Sequence, residues 1–287
     1  MTFSEASTLH PAWAHIPLRP FGVELIARAH DAGTGLHRLP ADSVRSLIRD
    51  HRLIVVRGWC GPVTETELEG FAGALGTPQR WGSPPGKTVL DIRTRPNPRK
   101  IFDDSGFMPM HWDGVHDPTP ALEIFQCLQA PPAHEPGATL FCDTAGVLAD
   151  ADPATRALWR SLTFRYESRE VHEQGEVVHS VEVPLVTAHP QHGFLTLRFR
   201  EPVPRTEGAT RVRSTHLDRV PDGHDPADVM EGIRRALYDA RRLYRHRWQV
   251  GDLVIADNHA LLHTREPYSP AVSRHLQRVT VLADQNR

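Results

Sequence analysis

Asp252-Leu-Val-Ile-Ala-Asp257-Asn258-His-Ala-Leu-Leu-His263 reads as a buried strand that enters a polar turn and leaves it by a second short apolar step ending in histidine. Other runs share this length: Leu122 to Leu128, Thr139 to Cys142, Leu195 to Phe199 and Gln277 to Leu282. Separated by turn residues, they predict strands of a sandwich or barrel. Upstream, Leu39 to Asp50 has Val44, Leu47 and Ile48 at helical spacing, and Leu53 to Arg57 is a β-branched run stopped by Gly58. A second helix is expected from Thr64 to Leu75, with Leu68, Phe71, Ala72 and Leu75 on one face and Gly76 as its stop. Two more helices are expected over Pro153 to Ser161 and Asp225 to Tyr244. The sum is a mainly β core with flanking helices.

The 287 residues allow one large domain or two ordinary ones, and a chain of this size buries about 75% of its extended surface. Prolines punctuate loops at Pro84-Pro85, Pro96 to Pro98, Pro118 to Pro120 and Pro131-Pro132 without forming a linker, so a single domain over 1–287 is expected. With 33 Lys and Arg against 35 Asp and Glu, the formal charge of −2 argues against a nucleic-acid or anionic-membrane binder. No segment approaches the roughly 20 apolar residues of a membrane span. Cys60, Cys127 and Cys142 form no C-x-x-C, so neither a disulfide framework nor a thiolate zinc site is indicated. A cytoplasmic location is expected.

With 18 histidines in the chain, a single one carries little weight; a metal site needs ligands that converge. His111-Trp112-Asp113 places an imidazole and a carboxylate two residues apart, on the same side of an extended segment. One more histidine completes a facial triad of two His and one carboxylate, which leaves three positions of an octahedral Fe(II) open. A second H-x-D, His216-Leu217-Asp218, lies among charges and turn formers and reads as a solvated loop. His263 is the candidate third ligand. Beyond it, Arg274 and Arg278 point the same way on an extended segment, where a guanidinium fork matches the carboxylate of an oxoacid and the alternative for either is a surface ion pair.

His111-Trp-Asp113, Gly137-Ala138-Thr139-Leu-Phe, Asp257-Asn258 to His263, and Arg274 with Arg278 together resemble the TauD/TfdA family of Fe(II)- and 2-oxoglutarate-dependent dioxygenases, over about Leu36 to Asp284. Within the family, His-Trp-Asp-Gly, Phe125-Gln126-Cys127, Leu197-Arg198-Phe199 and His246-Arg-Trp248 look most like the PvcB-type members of isonitrile biosynthesis. The resemblance implies a double-stranded β-helix, or jelly-roll, with His111, Asp113 and His263 as iron ligands. It also implies Arg274 as the clamp on the distal carboxylate of 2-oxoglutarate, helped by the Thr139 hydroxyl. Arg278 matches a position that faces either the substrate acid or the co-substrate. His259 and His116 depart from the family, which more often has arginine and tyrosine there.

The implied function is oxidation of a C–H bond in a small amino-acid-derived acid, with isonitrile-bearing acids foremost, as part of natural product biosynthesis. O2 is consumed, and succinate and CO2 are co-products. Desaturation, with or without loss of CO2, and hydroxylation both stay open, as do a carrier protein presenting the substrate and a homo-oligomer. The alternative substrates are a free or carrier-tethered amino acid, or a sulfonate or aryloxy acid. Candidate substrate residues are His116, which is otherwise a loop histidine, and Lys100 and Arg198, which are otherwise surface cations. Trp81, Phe107, Met108, Met110 and Trp112 are either pocket wall or core. A non-catalytic jelly-roll module would have no reason to keep the triad together with Arg274, and a zinc hydrolase would need a positioned base that no H-E-x-x-H supplies.

Overall fold

A computed structural model describes residues 13–27, 35–59, 61–82, 86–95, 103–116, 118–172, 175–203 and 211–284. In chain order its strands are β1 (Trp13–Pro17), β2 (Val23–Ala27), β3 (Leu53–Arg57), β4 (Thr77–Pro78), β5 (Leu90–Arg93), β6 (Met108–His111), β7 (Leu122–Gln129), β8 (Thr139–Asp143), β9 (Thr163–His172), β10 (Gly175–Pro184), β11 (Val186–Ala188), β12 (Leu195–Leu197), β13 (Arg211–His216), β14 (Leu243–His246), β15 (Leu253–Asp257), β16 (Leu261–Arg265) and β17 (His275–Leu282). The α-helices are α1 (Ala41–His51), α2 (Glu65–Leu75), α3 (Thr144–Asp150), α4 (Pro153–Ser161) and α5 (Pro226–Leu237).

The strands form a large sheet in the order β1-β2-β3-β15-β7-β17-β4, with β5 also on β17, and a smaller sheet in the order β14-β8-β16-β6. Every residue of Leu53 to Val56 is buried because β3 is covered on both faces. Ile54 and Val56 pack outward against the helix face made by Val44, Leu47, Ile48, Leu68 and Phe71, while Leu53 and Val55 face inward. Inward residues of the large sheet, among them Phe125, Cys127, Val254 and Leu276, meet Phe141 and Leu261 of the smaller one. The result is a jelly-roll sandwich. Each large apolar side chain fully buried this way stabilises the fold by roughly 1.5–3 kcal/mol relative to an exposed one.

Helix α2 begins and ends where its sequence says. Thr64 Oγ1 accepts from Glu67 N at 3.3 Å while the Glu67 carboxylate accepts from Thr64 N at 3.0 Å, a reciprocal cap. At Gly76 a Cβ would lie 2.5 Å from the Leu282 carbonyl oxygen, so only glycine lets the chain pass β17. The expected helix over Asp225 to Tyr244 is too long. It spans Pro226–Leu237, capped by Asp225, and stops because the Asp239 carboxylate accepts from Arg241 N at 2.9 Å and turns the chain into β14.

A third sheet, β10-β9-β13, is a long hairpin with one added strand that covers the smaller sheet. Phe164, Tyr166 and Ser168 are buried on its inner face, whereas Arg169 is exposed on the outer one. Among the described residues no helix is long and apolar enough to cross a membrane.

Candidate metal and co-substrate site

In the smaller sheet β6 and β16 are antiparallel neighbours, and His111 sits directly opposite His263. Residues paired in this way share a face, and both rings point into the sandwich with centroids 4.2 Å apart. The register shifts between His263 and Arg265, an irregularity of the kind that re-aims side chains at strand ends. Asp113 lies just past β6, in a turn that Gly114 makes at φ +83°, where a Cβ would come within 2.7 Å of Pro120 Cδ. His111 Nε2 is 3.8 Å from Asp113 Oδ1. One ligand atom from each of His111, Asp113 and His263 lies within 4.8 Å of the others, the one such converging group among the described residues.

The turn after β15 holds Asp113 in place. Asn258 Oδ1 accepts from Asp113 N at 3.0 Å, and Asn258 Nδ2 donates to the carbonyls of Asp113 at 3.1 Å and Pro120 at 2.9 Å. Asp257, in turn, pairs with the buried His189 at 3.0 Å and accepts from the backbone N–H groups of His259 and Ala260. The polar pair that looked like a simple turn is therefore a brace for a candidate ligand.

Both imidazoles are set up to be neutral, the form that binds metal. Burial holds His111 down, to about 4; its contact with the Pro109 carbonyl opposes this, and the nearby charges of Arg278, Arg213 and Arg200 add to it. With Nδ1 assigned as donor to that carbonyl at 2.8 Å, Nε2 keeps its lone pair for the site. Burial, then the charge of His111, lowers His263. His263 Nδ1 is 3.4 Å from Oε2 of Glu123, a carboxyl only 1% exposed that burial pushes up to about 8. Arg278 pairs with Asp113, and its guanidinium lies 5.6 Å from the Trp81 ring centroid.

Arg274 immediately precedes β17, is turned inward as the spacing predicts, and is 3% exposed. Its Nε donates to the Gly137 carbonyl at 3.0 Å and its Nη2 to Thr139 Oγ1 at 3.2 Å, while Trp248 Nε1 donates to the same hydroxyl at 3.0 Å. Nη1 is buried without a hydrogen-bond partner among the described residues. A second buried guanidinium, Arg265, lies across the Tyr268 ring, 5.5 Å from its centroid against 5.7 Å for Arg274. Burial, followed by the charge of Arg265, holds Arg274 down at about 10. Two buried cations with unused donors suit a carboxylate held at both oxygens. The two neutral imidazoles and one carboxylate, converging from one side, suit Fe(II) with open positions.

Other sequence candidates fall elsewhere. Met110 and Trp112 are not pocket wall: strand alternation turns them away from His111 into the outer core, where Trp112 meets Tyr166 edge-on at 5.3 Å. Arg198 is no surface cation or free substrate partner, since its guanidinium is buried, donates to the Asn258 carbonyl at 2.7 Å and contacts His259. His216 is not in a loop but ends β13, paired with Arg165, where its Nε2 is 3.5 Å from Glu167. Phe107 is 42% exposed, and half-buried His116 lies tilted toward His179 with ring centroids 6.5 Å apart. Lys100 and Cys60 lie outside the described residues. Sequence reasoning missed Glu123 and Arg265. The signal for Glu123 was the one charged residue in the run Leu122 to Leu128, where only a partner could justify burial.

Comparison with known proteins bears on the fold and the family. The family described as "Taurine catabolism dioxygenase TauD, TfdA family" matches residues 15–280. A 3-((Z)-2-isocyanoethenyl)-1H-indole synthase of Fischerella ambigua is 36% identical over 92% of this chain and 94% of its own. A tyrosine isonitrile desaturase of Erwinia amylovora is 30% identical over 91% of this chain and 88% of its own. Among solved structures, PvcB, an Fe, alpha-ketoglutarate dependent oxygenase from an isonitrile synthetic pathway, superposes with a TM-score of 0.72 at 30% identity, covering 98% of this chain and 95% of that one. A Burkholderia xenovorans taurine dioxygenase, at 17% identity and TM-score 0.64, shares the fold. The chain belongs to the TauD/TfdA family of Fe(II)- and 2-oxoglutarate-dependent dioxygenases.

Proposed function

We propose that the chain oxidises an isonitrile-bearing acid derived from an aromatic amino acid, with His111, Asp113 and His263 holding the iron and Arg274 with Thr139 holding the distal carboxylate of 2-oxoglutarate. The observation that carries this reading is the convergence of the three ligand atoms within 4.8 Å, in a chain 36% identical to a 3-((Z)-2-isocyanoethenyl)-1H-indole synthase. Iron, when bound with 2-oxoglutarate, supplies a two-electron oxidation by O2 that releases succinate and CO2. The chain's own residues orient and exclude. His111 and His263 converge from adjacent strands, Asn258 fixes Asp113, and Arg278 steadies the Asp113 carboxylate. The family match from 15 to 280 supports a single catalytic domain.

A desaturation removes two hydrogens from the Cα–Cβ bond of the acid, and together with one O2 and one 2-oxoglutarate gives the alkene, water, succinate and CO2. If the substrate's carboxylate leaves as CO2 in place of the second hydrogen, a vinyl isonitrile results, the group in the name of the Fischerella relative. The test is succinate formation with Fe(II), ascorbate and air on tyrosine and tryptophan isonitriles, the parent amino acids, a sulfonate and an aryloxy acid. Stimulation by the isonitriles, with product mass two units below substrate or lower by a further CO2, supports the reading. Stimulation by another class alone overturns it.

A further inference from the structure

Arg265 is a buried cation most of whose donors are unmet. It is 4% exposed, and its Nη2 donates to the Gly106 carbonyl at 2.7 Å. Nε and Nη1 are buried without a hydrogen-bond partner among the described residues. The carboxylates nearest in sequence and space are engaged elsewhere. Glu266 accepts from Arg245 Nη2 at 2.6 Å and from Ala138 N at 3.3 Å, and Asp104 accepts from the N–H groups of Ser105 at 2.7 Å and Gly106 at 3.3 Å. A buried guanidinium left this way is costly unless an anion completes it.

The register says where that anion would sit. β16 and β8 pair without a shift, His263 opposite Phe141 and Arg265 opposite Thr139, so these four side chains share the inward face of the smaller sheet. Two residues along an extended strand carry Arg265 roughly 7 Å beyond His263, a span that a five-carbon diacid can cross from the iron ligands. Arg274 reaches the same place from the large sheet. Both guanidiniums flank the Tyr268 ring, 5.5 and 5.7 Å from its centroid, and the charge of Arg265 lowers Arg274. Thr139 Oγ1 accepts from Arg274 Nη2 and Trp248 Nε1, so both its lone pairs are taken and its own proton is left to donate. The free groups here, Arg265 Nε and Nη1, Arg274 Nη1 and the Thr139 O–H, are all donors. A carboxylate, which only accepts, satisfies them; an alkyl end does not.

We propose that Arg265 is a second co-substrate residue, binding one oxygen of the distal carboxylate of 2-oxoglutarate while Arg274 and Thr139 hold the other, so that the protein admits a dicarboxylate and refuses 2-oxo acids with a neutral end. This rests on the assignment of Arg274 and Thr139 above and extends it to the residue two places past His263.

The experiment is an anaerobic titration of the Fe(II)-loaded protein with 2-oxoglutarate and with 2-oxopentanoate, which keeps the five carbons and the 2-oxo acid end but lacks the distal carboxylate. The dissociation constant of each is read from the visible band it produces. The wild-type protein is expected to bind 2-oxoglutarate roughly 100-fold or more tightly than 2-oxopentanoate. Arg265→Gln should weaken 2-oxoglutarate by on the order of 10–100-fold, the worth of hydrogen bonding to a charged group, and leave 2-oxopentanoate within about threefold. Arg265→Lys, which keeps the charge but loses the fork, should fall between. Stoichiometric iron verifies that each variant is folded, and if the Gln variant does not fold, the Lys variant must show the same one-sided loss. Equal weakening of both acids makes Arg265 a support for the Gly106 segment and overturns the proposal, as does an unchanged preference; the assignment of Arg274 and Thr139 then still stands. A wild-type protein with no preference between the two acids overturns that assignment, and Arg265 with it.

Discussion

Replacing Glu123 is expected to strengthen the metal-free fold at neutral pH while weakening the metal site. In the unfolded chain its carboxyl titrates near 4.5, and in the fold burial pushes it up to about 8. Between those values the folded chain keeps a proton that the unfolded chain has released, so stability falls by about 1.4 kcal/mol per pH unit. The loss is roughly 3 kcal/mol by pH 7 and about 5 kcal/mol above pH 8, where it is complete; below about pH 4.5 it vanishes. Glu123→Gln removes this pH dependence, so its stability relative to the wild-type protein should rise by several kcal/mol between pH 4.5 and pH 8, read by denaturant unfolding of metal-free protein. The cost appears at His263. Carboxylate partners of ligating histidines are typically worth 10–100-fold in metal affinity, so Glu123→Leu should weaken Fe(II) binding by about that factor, while Gln, which keeps an acceptor, should lose little. A stability difference that does not change with pH, together with unaltered Fe(II) affinity in Glu123→Leu, refutes the reasoning.

Arg274→Ala should raise the 2-oxoglutarate concentration needed for binding by roughly 100-fold or more, since a buried charge-assisted pair is lost; an unchanged requirement in anaerobic titrations removes Arg274 from the site. Asn258→Ala should cost about 1–3 kcal/mol of stability, because it strands the Asp113 N–H and the Pro120 carbonyl, and should lower Fe(II) affinity in parallel; an effect on stability alone would make Asn258 purely structural. Because His111 titrates only at about 4, proton competition there should be small from pH 8 to 6 and grow as pH approaches 4. Fe(II) affinity that instead collapses near pH 6.5 would show an unperturbed imidazole.

The parts of the fold legible in sequence are those where one local rule acts alone. Leu53 to Arg57 is unbroken because both faces of β3 are covered, and Thr64, Glu67 and Gly76 mark the limits of α2 by hydrogen bonds and contact that involve few residues. The extended spacing of Arg274 and Arg278 placed both inward for the same reason. Where tertiary structure decides, the reading failed. Asp225 to Tyr244 keeps helical character past Leu237, and only the Asp239 turn and the pairing of Leu243 with Cys142 end it. The β9–β10 hairpin alternates charged and buried residues too polar to stand out as apolar runs, yet it carries the buried Phe164 and Tyr166. Met110 and Trp112 could not be assigned to wall or core until the strand's two faces were known. The candidate ligands were named from the H-x-D spacing and the histidine that ends the second apolar step, then singled out by resemblance, and their convergence follows from the pairing of His111 with His263.

The most direct test of the iron assignment is an anaerobic titration of Fe(II), followed by 2-oxoglutarate, into the wild-type protein and the variants His111→Ala, Asp113→Ala, His263→Ala and His216→Ala. One iron per chain and a visible absorption band on addition of 2-oxoglutarate are expected for the wild-type protein and His216→Ala, with both lost in the other three. Stoichiometric iron retained in any of those three, or lost in His216→Ala, would contradict the site described for this chain.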